Sequence, residues 1–207
     1  NVRFVGCQTE KMMTGIKEEF NFFNVKIIPF YNDTLHNFKK NKKFDFCYVS
    51  LSPPHKNHKL LFEAFEILGK KGHTISLAVT IHSNNVSLID QINRINQSKN
   101  IKIINLGILS DKEVAKLYSQ SKCLVFPSLA ESFGMPIIEA ADYGLDIIIS
   151  DLPYSYSIVD TPFRINPYNK YKCAEGIESY LNTKNPPKCQ IIVENDIEKF
   201  IKLIIKG

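Results

Sequence analysis

The sequence predicts an α/β fold, a Rossmann-like doubly wound parallel sheet, and two observations support this class. Between residues 44 and 181, short apolar runs with the length of buried strands alternate with longer segments of helical period. Strands that alternate with helices pair in parallel, and the crossover helices cover both faces of the sheet. Within that alternation, residues 124–141 pass directly from an apolar run through a polar loop into a helix that begins with proline.

The elements follow from apolar periodicity and from residues that cap or break them. The predicted strands are residues 2–6, 25–29, 44–50, 74–80, 100–105, 122–126, 146–150 and 163–165. The predicted helices are residues 8–20, 57–69, 86–97, 111–119, 136–143, 170–181 and 194–205. The first helix places Met12, Ile16 and Phe20 on one face, and Pro29 ends the second strand. Asn57 is a possible N-cap of the second helix.

Size and composition are those of an ordinary soluble domain. The chain has 207 residues, of which 44% are hydrophobic and 23% charged. No apolar run reaches the roughly 20 residues that span a bilayer. Of the five cysteines, which are scattered, Cys47 and Cys123 fall in apolar strand segments. This predicts buried reduced thiols and a cytoplasmic location.

The formal net charge of +5 is partly concentrated in a polar segment, residues 31–43, that is predicted to be a loop. Its lysines are Lys39, Lys40, Lys42 and Lys43. A solvated lysine run is the favoured interpretation, and nucleic acid is not a predicted partner. Contact with anionic phospholipid, and hence a peripheral membrane contact, stays open.

Residues 124–141 carry the clearest chemistry. Pro136 opens an apolar helix, since proline is favoured in the first helical turn. In an open α/β sheet, the loop before such a helix lies at the carboxyl edge of the strands, where ligands bind. Backbone amides near Phe133, Gly134 and Met135 would face an anionic ligand there, and Gly134 lets the backbone come close.

Two glutamates accompany those amides. Glu131 lies in the loop, and Glu139 lies about one turn inside the helix. The amides can hold negative charge, while each carboxylate can accept hydrogen bonds from a diol. The combination suits a ligand with both phosphate and hydroxyl groups. The alternative is that Glu139 is an exposed helix residue and that Glu131 only favours the helix dipole.

The segment ESFGMPIIE, with seven residues between Glu131 and Glu139, resembles the E-x(7)-E motif of the large retaining glycosyltransferase family 4. The longer run PSLAESFGMPIIEA, followed by Gly144 and the strand 146–150, extends the resemblance. That family has the GT-B architecture, with two Rossmann-like domains of which the C-terminal one binds the donor. The resemblance implies that this chain is the C-terminal half of a GT-B fold.

The resemblance also implies roles for individual residues. Glu139 would accept hydrogen bonds from the ribose hydroxyls of a nucleotide-sugar, and Glu131 would contact the donor sugar. Ser132 and the amides of residues 133–135 would bind the donor. Lys56, with those amides, would stabilise the leaving diphosphate as its charge grows. Glu131 and Lys56 are therefore the predicted catalytic residues.

Lys56 lies in the loop SLSPPHKNHKLL, which joins the strand 44–50 to its helix. A lysine just before a helix N-terminus can reach a pyrophosphate. The family has a Gly-Arg-Leu pattern followed by Lys-Gly, and Lys56 with Asn57 resembles its end, so Asn57 is a predicted donor-binding residue. Ser50 and Leu51 stand where Gly-Arg would be, so the arginine is missing.

No metal site is predicted, and no cofactor beyond the nucleotide-sugar substrate is implied. His55 and His58 flank Lys56, but a metal pair would need a third ligand and would sit beside a cation. In the implied mechanism, the lysine and the helix dipole take over the role of a cation.

Gly107 and Ile108 follow the strand 100–105 and lead into a helix start. The resemblance implies that this turn approaches the nucleotide base, with backbone contact at Gly107 and packing at Ile108. A glycine needed only for the turn is the alternative. Tyr118, in the helix that follows, is interpreted as helix packing.

The resemblance divides the chain into three parts. Residues 1–43 would be the hinge and the end of the acceptor-side domain, residues 44–185 the donor-binding domain, and residues 186–207 a C-terminal helix. The expected function is retaining transfer of a sugar from a UDP- or GDP-sugar to a saccharide or lipid-linked acceptor, in bacterial polysaccharide synthesis such as capsule or lipopolysaccharide. The acceptor would need an N-terminal domain that this chain lacks, so the chain would bind donor but transfer little. The expected location is the cytoplasm, at or near the inner face of the membrane.

Three other functions remain open. Another GT-B enzyme, such as a sugar-nucleotide epimerase or a phosphorylase, would share the fold without the whole ESFGMPIIEA string. A non-catalytic nucleotide-sugar-binding module is a further alternative, which the missing arginine makes less remote. An NAD-dependent Rossmann enzyme is the weakest candidate, because no G-x-G-x-x-G follows any predicted strand.

Overall fold

The strand order of the central sheet reverses once, and this sets the position of the loops. The computed structural model describes residues 4–31 and 41–205. The strands are β1 Val5–Cys7, β2 Val25–Ile27, β3 Phe44–Tyr48, β4 Ile75–Val79, β5 Ile101–Asn105, β6 Ser121–Phe126, β7 Asp146–Ser150, β8 Val159–Asp160, β9 Arg164–Ile165 and β10 Gln190–Ile191. The helices are α1 Glu10–Phe20, α2 His58–Lys70, α3 Val86–Ile95, α4 Asp111–Gln120, α5 Met135–Asp142, α6 Pro153–Tyr156, α7 Lys170–Leu181 and α8 Ile197–Ile205, with a 3-10 turn at Pro54–Lys56.

The central sheet has six strands in the order β5-β4-β3-β6-β7-β9, and every neighbouring pair is parallel. The chain winds outward from β3 to β5, returns to pair β6 with the other side of β3, and then winds outward again. Because crossovers between parallel strands are right-handed, this reversal places α4 and α5 on the face opposite α2 and α3. The predicted doubly wound α/β fold is confirmed, and its switch point lies between β3 and β6.

The core explains why these strands were recognisable as apolar runs. All five residues of β7 are buried, and so are five of the six residues of β6. A parallel sheet covered by helices on both faces needs apolar side chains on both faces, which removes the alternation of a half-exposed strand. Cys47 and Cys123 are fully buried free thiols, as predicted.

Several elements differ from the predicted ones. The helix α6 and the strands β8 and β10 were not predicted, because each has at most four residues and is too short to show a period. The strand predicted to reach Ser50 ends at Tyr48, where the backbone turns into the loop before α2. The last helix begins at Ile197 rather than residue 194. The first two predicted strand residues, most of the predicted loop and two of its lysines (Lys39 and Lys40) fall outside the described residues.

Segments near the two ends of the chain pack against each other. The rings of Phe30 and Phe200 are stacked with centroids 5.0 Å apart, and Asn195 Nδ2 donates to the Tyr31 carbonyl at 2.8 Å. The amide of Asp196 donates to the Pro29 carbonyl at 2.6 Å. Strands β1 and β2 form a separate two-stranded parallel sheet, and α1 connects them in the chain. In the described part of the chain, no helix combines the length and apolarity needed to cross a membrane.

Candidate donor-binding site

The loops that follow β3 and β6 lie side by side at the carboxyl edge of the sheet, because β3 and β6 are neighbours. The amide of Leu129 donates to the carbonyl of His55 at 2.8 Å, which ties the two loops through their backbones. The site residues predicted in these two loops are therefore brought together, although 75 residues separate Lys56 from Glu131 in the sequence.

Lys56 and Glu131 form the ion pair at the centre of this edge. Lys56 Nζ lies 2.6 Å from Glu131 Oε1, and the two side chains are 17% and 8% exposed. The ammonium also lies 5.6 Å from the centroid of the buried Phe126 ring. The pair is thus largely withdrawn from water, where an ionic interaction is stronger than on an open surface. The structure brings the two predicted catalytic residues into direct contact.

Buried hydroxyl groups hold this pair of loops in place. The fully buried Tyr48, at the end of β3, donates to the Lys56 carbonyl at 2.8 Å and lies 3.1 Å from the Ser128 hydroxyl. Tyr154 donates to the Ser128 carbonyl at 2.9 Å. These residues were not predicted as part of the site. A tyrosine at the carboxyl end of an apolar strand is the available signal, since a buried phenol needs a polar partner.

Asn57 occupies the N-cap position of α2 but does not cap the helix through its side chain. Its backbone is left-handed, with φ of 59°, and its Nδ2 donates to the carbonyls of Pro127 at 3.2 Å and Pro167 at 2.8 Å. The predicted side-chain cap is therefore wrong, because these carbonyls hold the amide instead. Asn57 joins three loops, those after β3, β6 and β9. Its predicted contact with the donor stays a prediction.

Gly134 sets the start of α5, and its φ of 82° is one that L side chains rarely adopt. A Cβ at this position would lie 2.8 Å from Ile137 Cδ1 and 3.1 Å from Ile158 Cδ1. The amides of Phe133, Gly134 and Met135 donate to no partner within the described residues. The Phe133 side chain is buried, so its backbone is the part that can meet a ligand.

Glu139 lies on α5 and is half-buried. The Tyr118 hydroxyl, on α4, donates to Glu139 Oε2 at 3.0 Å. Burial raises the pKa of the Glu139 carboxyl, and this hydrogen bond opposes the rise. Burial also raises the pKa of Tyr118, and the neighbouring carboxylate adds to that rise. The interpretation of Tyr118 as helix packing is incomplete, because its hydroxyl contacts a predicted donor-binding residue.

Two cavities adjoin at the Lys56–Glu131 pair. The first, of about 330 Å³, is lined by Lys56, Ile108, Pro136 and Leu51, among others. The second, of about 420 Å³, is lined by Glu131, Ser132 and Phe133 on one side and by residues around β1, α1 and β2 on the other.

Glu139 does not line either of these two cavities. Glu131 lines the second cavity, whereas Glu139 lies one turn after Pro136 on α5, and residues three apart on a helix share a face. Pro136 itself lines the first cavity.

Of the two residues predicted in the turn after β5, Gly107 and Ile108, the second lines the first cavity. Ile108 is 56% exposed and lines the first cavity. The Gly107 amide donates to Asn105 Oδ1 at 3.2 Å, and the glycine has φ of 71°. The left-handed conformation favours glycine, which fits a turn role. Leu51, at the position where the resemblance would put arginine, is 65% exposed at the same cavity.

The two histidines beside Lys56 are held in different environments. His55 is exposed, whereas His58 is 3% exposed, with its ring 4.7 Å from the Tyr48 ring. Its Nε2 has no hydrogen-bond partner among the described residues. Burial, with the charge of Lys56 as the second cause, lowers the pKa of His58 from 6.5 to about 4. In residues 4–31 and 41–205, no three His, Cys, Asp or Glu side chains are grouped so as to hold a metal ion.

Comparison with known proteins identifies the family. The family model for glycosyl transferases group 1 matches residues 33–199. The chain belongs to this family. Its match includes the loops after β3, β5 and β6, from which the site is built. This membership confirms the family resemblance that was drawn from the E-x(7)-E motif.

Two curated relatives of this group 1 chain are mannosyltransferases. The serotype-specific mannosyltransferase WbdA of Escherichia coli is 36% identical over 109 residues, which cover 52% of this chain and 13% of WbdA. The O-antigen chain mannosyltransferase RfbU of Salmonella typhimurium is 30% identical over 171 residues, which cover 80% of this chain and 47% of RfbU. The chain thus spans less than half the length of each.

Solved structures share the fold. TarM of S. aureus, in complex with Fondaparinux, α-GlcNAc-glycerol and UDP, superposes with a TM-score of 0.71 at 23% identity, over 88% of this chain and 37% of TarM. HepE of Anabaena, in complex with UDP and glucose, gives 0.67 at 18% identity, over 86% of this chain and 53% of HepE. The group 1 chain therefore has the Rossmann-like fold of the C-terminal half of a GT-B protein.

Proposed function

We propose that this chain is the donor-binding part of a retaining glycosyltransferase that transfers mannose from a nucleoside-diphosphate sugar to a growing bacterial polysaccharide. Membership of the group 1 family and the mannosyltransferase relatives support the reaction class and the sugar. The observation that carries the proposal is the Lys56–Glu131 pair. It is largely withdrawn from water, and it lies at the switch point of the sheet where the loops after β3 and β6 meet.

Lys56 stabilises the leaving group in this proposal. When the bond between the sugar carbon and the diphosphate oxygen breaks, the electron pair stays on that oxygen and its negative charge grows. An ammonium held in a largely dry site stabilises such charge more strongly than one in water. The amides of residues 133–135, which donate to no partner in the described part of the chain, add dipoles of the same sign.

Glu131 lies between the two cavities and contacts the donor sugar. Before donor binds, it neutralises Lys56, so the lysine is stored close to the diphosphate position without an unpaired charge in a buried place. When the diphosphate arrives, Lys56 is shared between the two anions. Glu131 then accepts a hydrogen bond from a sugar hydroxyl.

The first cavity takes the nucleotide. Ile108 packs against the base, and Glu139 accepts hydrogen bonds from the ribose. Leu51 adds no charge where the family has arginine, so Lys56 and the helix amides hold the diphosphate. Asn57 keeps Lys56 in register by joining its loop to the two neighbouring loops. No metal ion has a role in this scheme.

The second cavity faces the acceptor side. It is bounded by residues around β1, α1 and β2, which belong to the proposed hinge and acceptor-side region 1–43. The acceptor is a saccharide or a lipid-linked saccharide held by an N-terminal domain.

Lys42 and Lys43 are exposed, and they would add attraction to an anionic membrane surface. Sedimentation with vesicles of phosphatidylglycerol tests this contact, and equal binding to neutral vesicles would exclude it.

Donor binding is tested on this chain by calorimetry and thermal unfolding with GDP, UDP and ADP. The preferred nucleoside diphosphate should raise the melting temperature, because it binds the folded state. Glu139→Ala should abolish the shift. If no nucleotide at millimolar concentration shifts the transition, the proposal fails.

Transfer is tested in the complete gene product with GDP-mannose and UDP-sugars. Lys56→Ala should lower kcat/KM by about 10²–10³-fold, the usual effect of losing one group that stabilises transition-state charge. Glu131→Ala should lower kcat more than it weakens donor binding. Lys122→Ala, at the opposite edge of the sheet, is the matched control and should retain activity. An epimerised free sugar, or donor binding without transfer to any acceptor, would instead favour the epimerase or the binding module.

A further inference from the structure

The Tyr118 hydroxyl has a partner that packing alone does not require. Tyr118 is 1% exposed, and its ring lies in the core beside Tyr143, with centroids 5.8 Å apart. A phenylalanine ring would fill the same space. The hydroxyl instead donates to Oε2 of Glu139 at 3.0 Å, from one helix to the next. A buried phenol aimed at a carboxylate fixes the direction of that carboxylate.

Glu139 keeps acceptor capacity after this contact. A carboxylate has two oxygens with about four lone-pair sites, and Tyr118 uses one of them. Within the described residues, Oε1 of Glu139 receives no hydrogen bond. The side chain is half-buried, so part of it reaches the solvent, and Pro136, three residues earlier on α5, lines the first cavity. The geometry holds one oxygen inside and leaves the other for a ligand hydroxyl.

We propose that Tyr118 is a positioning residue for nucleotide recognition. It clamps Oε2 of Glu139 so that Oε1 faces the ribose, and it thereby sets the preference of the site for a nucleotide with free ribose hydroxyls. This inference rests on the proposed function, in which Glu139 accepts hydrogen bonds from the ribose.

The electrostatics around Glu139 make the clamp measurable. Burial raises the pKa of Glu139, Asp111 on α4 and Asp142 on α5 raise it further, and the Tyr118 hydrogen bond opposes all three. Tyr143 is the other titratable group that faces this carboxylate. Without the Tyr118 hydroxyl, Glu139 should take up its proton at higher pH. A protonated carboxyl is a weaker acceptor, so ribose recognition should fade earlier on acidification.

The experiment compares the affinities of this chain for GDP and for 2′,3′-dideoxy-GDP, by calorimetry, as a function of pH. If UDP is the preferred nucleotide, the UDP pair is used. The ratio of the two affinities isolates ribose recognition from diphosphate and base binding. The wild type should prefer the ribose form by about tenfold or more, as expected for hydrogen bonds to a charged group. Tyr118→Phe should reduce that preference several-fold and move its acid limb to higher pH.

Tyr180→Phe is the matched control. The Tyr180 hydroxyl donates to Asp146 Oδ2, also at 3.0 Å, but it does so between α7 and the amino end of β7, away from the proposed site. The variant loses the same kind of hydrogen bond and should be destabilised comparably. Its preference for the ribose form should equal that of the wild type at every pH.

Each outcome separates the clamp from the proposed function. If Glu139→Ala keeps the ribose preference, the assignment of Glu139 fails and the clamp fails with it. If Glu139→Ala abolishes the preference while Tyr118→Phe keeps it with the wild-type pH profile, the clamp alone is overturned. Equal weakening of both nucleotides by Tyr118→Phe would mean a structural effect and would also overturn it.

A second measurement covers the case in which Tyr118→Phe does not fold. Incorporation of 3-fluorotyrosine at position 118 keeps the ring and makes the hydroxyl a stronger donor. The acid limb of the ribose preference should then move to lower pH, because the carboxylate form of Glu139 is better stabilised. An unmoved acid limb would contradict the proposal.

Discussion

The two edges of the central sheet carry the same kind of ion pair in different surroundings. At the carboxyl edge, Lys56 and Glu131 lie 2.6 Å apart with side chains 17% and 8% exposed. At the amino edge, Lys122 and Asp45 lie 2.7 Å apart with side chains 57% and 28% exposed. The distances are nearly equal, so the separation of the charges does not distinguish a site from a surface. The difference is the solvent, which screens one pair and is largely excluded from the other.

The amino edge also has a cavity, of about 410 Å³, but two of its lysines, Lys122 and Lys188, are largely exposed to water. Lys122 and Lys188 line it together with their acidic partners Asp45 and Asp146. At the carboxyl edge, buried hydroxyls and the Asn57 amide connect the loops. These contacts hold Lys56 and Glu131 in a largely buried position, where an unpaired charge would be unfavourable. The comparison teaches that preorganisation, rather than the number of charges, marks the candidate site.

The largest expected difference between the edges is the coupling energy of the two ion pairs. Removing one partner of a buried pair leaves an unpaired buried charge, so Glu131→Ala should cost about 3–4 kcal/mol of unfolding free energy. In a double-mutant cycle with Lys56→Met, most of that cost should disappear. The matched cycle of Asp45→Ala and Lys122→Met should give about 0.5 kcal/mol, which 1 M NaCl removes. Urea unfolding measures both, and equal coupling at the two edges would contradict the comparison.

Acid should destabilise the carboxyl edge through His58. Its pKa is lowered from 6.5 to about 4 in the folded state, so the unfolded chain binds the proton first as the pH falls. Stability is therefore lost from about pH 6.5 down to about pH 4, by a total of roughly 3 kcal/mol. His58→Phe keeps an aromatic ring against Tyr48 and should remove this part of the acid sensitivity.

The control for His58 is His73, which lies beyond α2 at the amino edge, 25% exposed and 2.8 Å from Glu178. His73→Phe should retain the loss of stability between pH 6.5 and pH 4. Urea unfolding of the three proteins at pH 7, 5.5 and 4.5 gives the comparison. Parallel curves for the wild type and His58→Phe would show that His58 is not the acid-sensitive group.

Asn57 should contribute more to the free energy of unfolding than Asn21, which also has a left-handed backbone. Asn57→Gly keeps the backbone conformation but removes two hydrogen bonds that join three loops, at a cost of about 2 kcal/mol. Asn21 ends α1 with φ of 50° and is exposed, so Asn21→Gly should change stability by a few tenths of a kcal/mol. Urea midpoints measure both changes. An Asn57→Gly variant as stable as Asn21→Gly would mean that the loops do not depend on this amide.

Asn57 also marks where prediction from the sequence stops. The strands β6 and β7 were predictable because burial on both faces leaves apolar runs, and Pro136 indicated the start of α5 correctly to within one residue. An asparagine before a helix statistically favours side-chain capping. Its amide instead binds carbonyls that lie 70 and 110 residues away, and no local pattern contains that information.

The same limit explains the rest of the site. Glu131 and Glu139 are linked by their spacing, so the sequence motif predicts both, but the motif does not say that Glu131 lines the second cavity and Glu139 does not. Tyr48 and Tyr118 contribute hydroxyls to partners on other elements, and a tyrosine in an apolar segment has the same pattern whether or not its hydroxyl is used. Only the packing of β3 against β6 and of α4 beside α5 decides these contacts.

The smallest expected difference concerns two left-handed glycines, Gly134 at the carboxyl edge and Gly72 after α2. Each has a φ that costs an alanine about 1–2 kcal/mol, so Gly72→Ala and Gly134→Ala share that penalty. A Cβ at Gly72 meets no atom within 4 Å, whereas one at Gly134 meets Ile137 Cδ1 at 2.8 Å. Gly134→Ala should therefore be less stable than Gly72→Ala by a further amount of about 1 kcal/mol, the lower end of the cost of overpacking.

The two variants should differ more clearly in their affinity for the diphosphate. Gly134 directly precedes α5, so backbone adjustment to an alanine there moves the first amides of that helix. Diphosphate affinity should therefore fall in Gly134→Ala and stay at the wild-type value in Gly72→Ala. Equal affinities in calorimetry would mean that those amides do not hold the diphosphate.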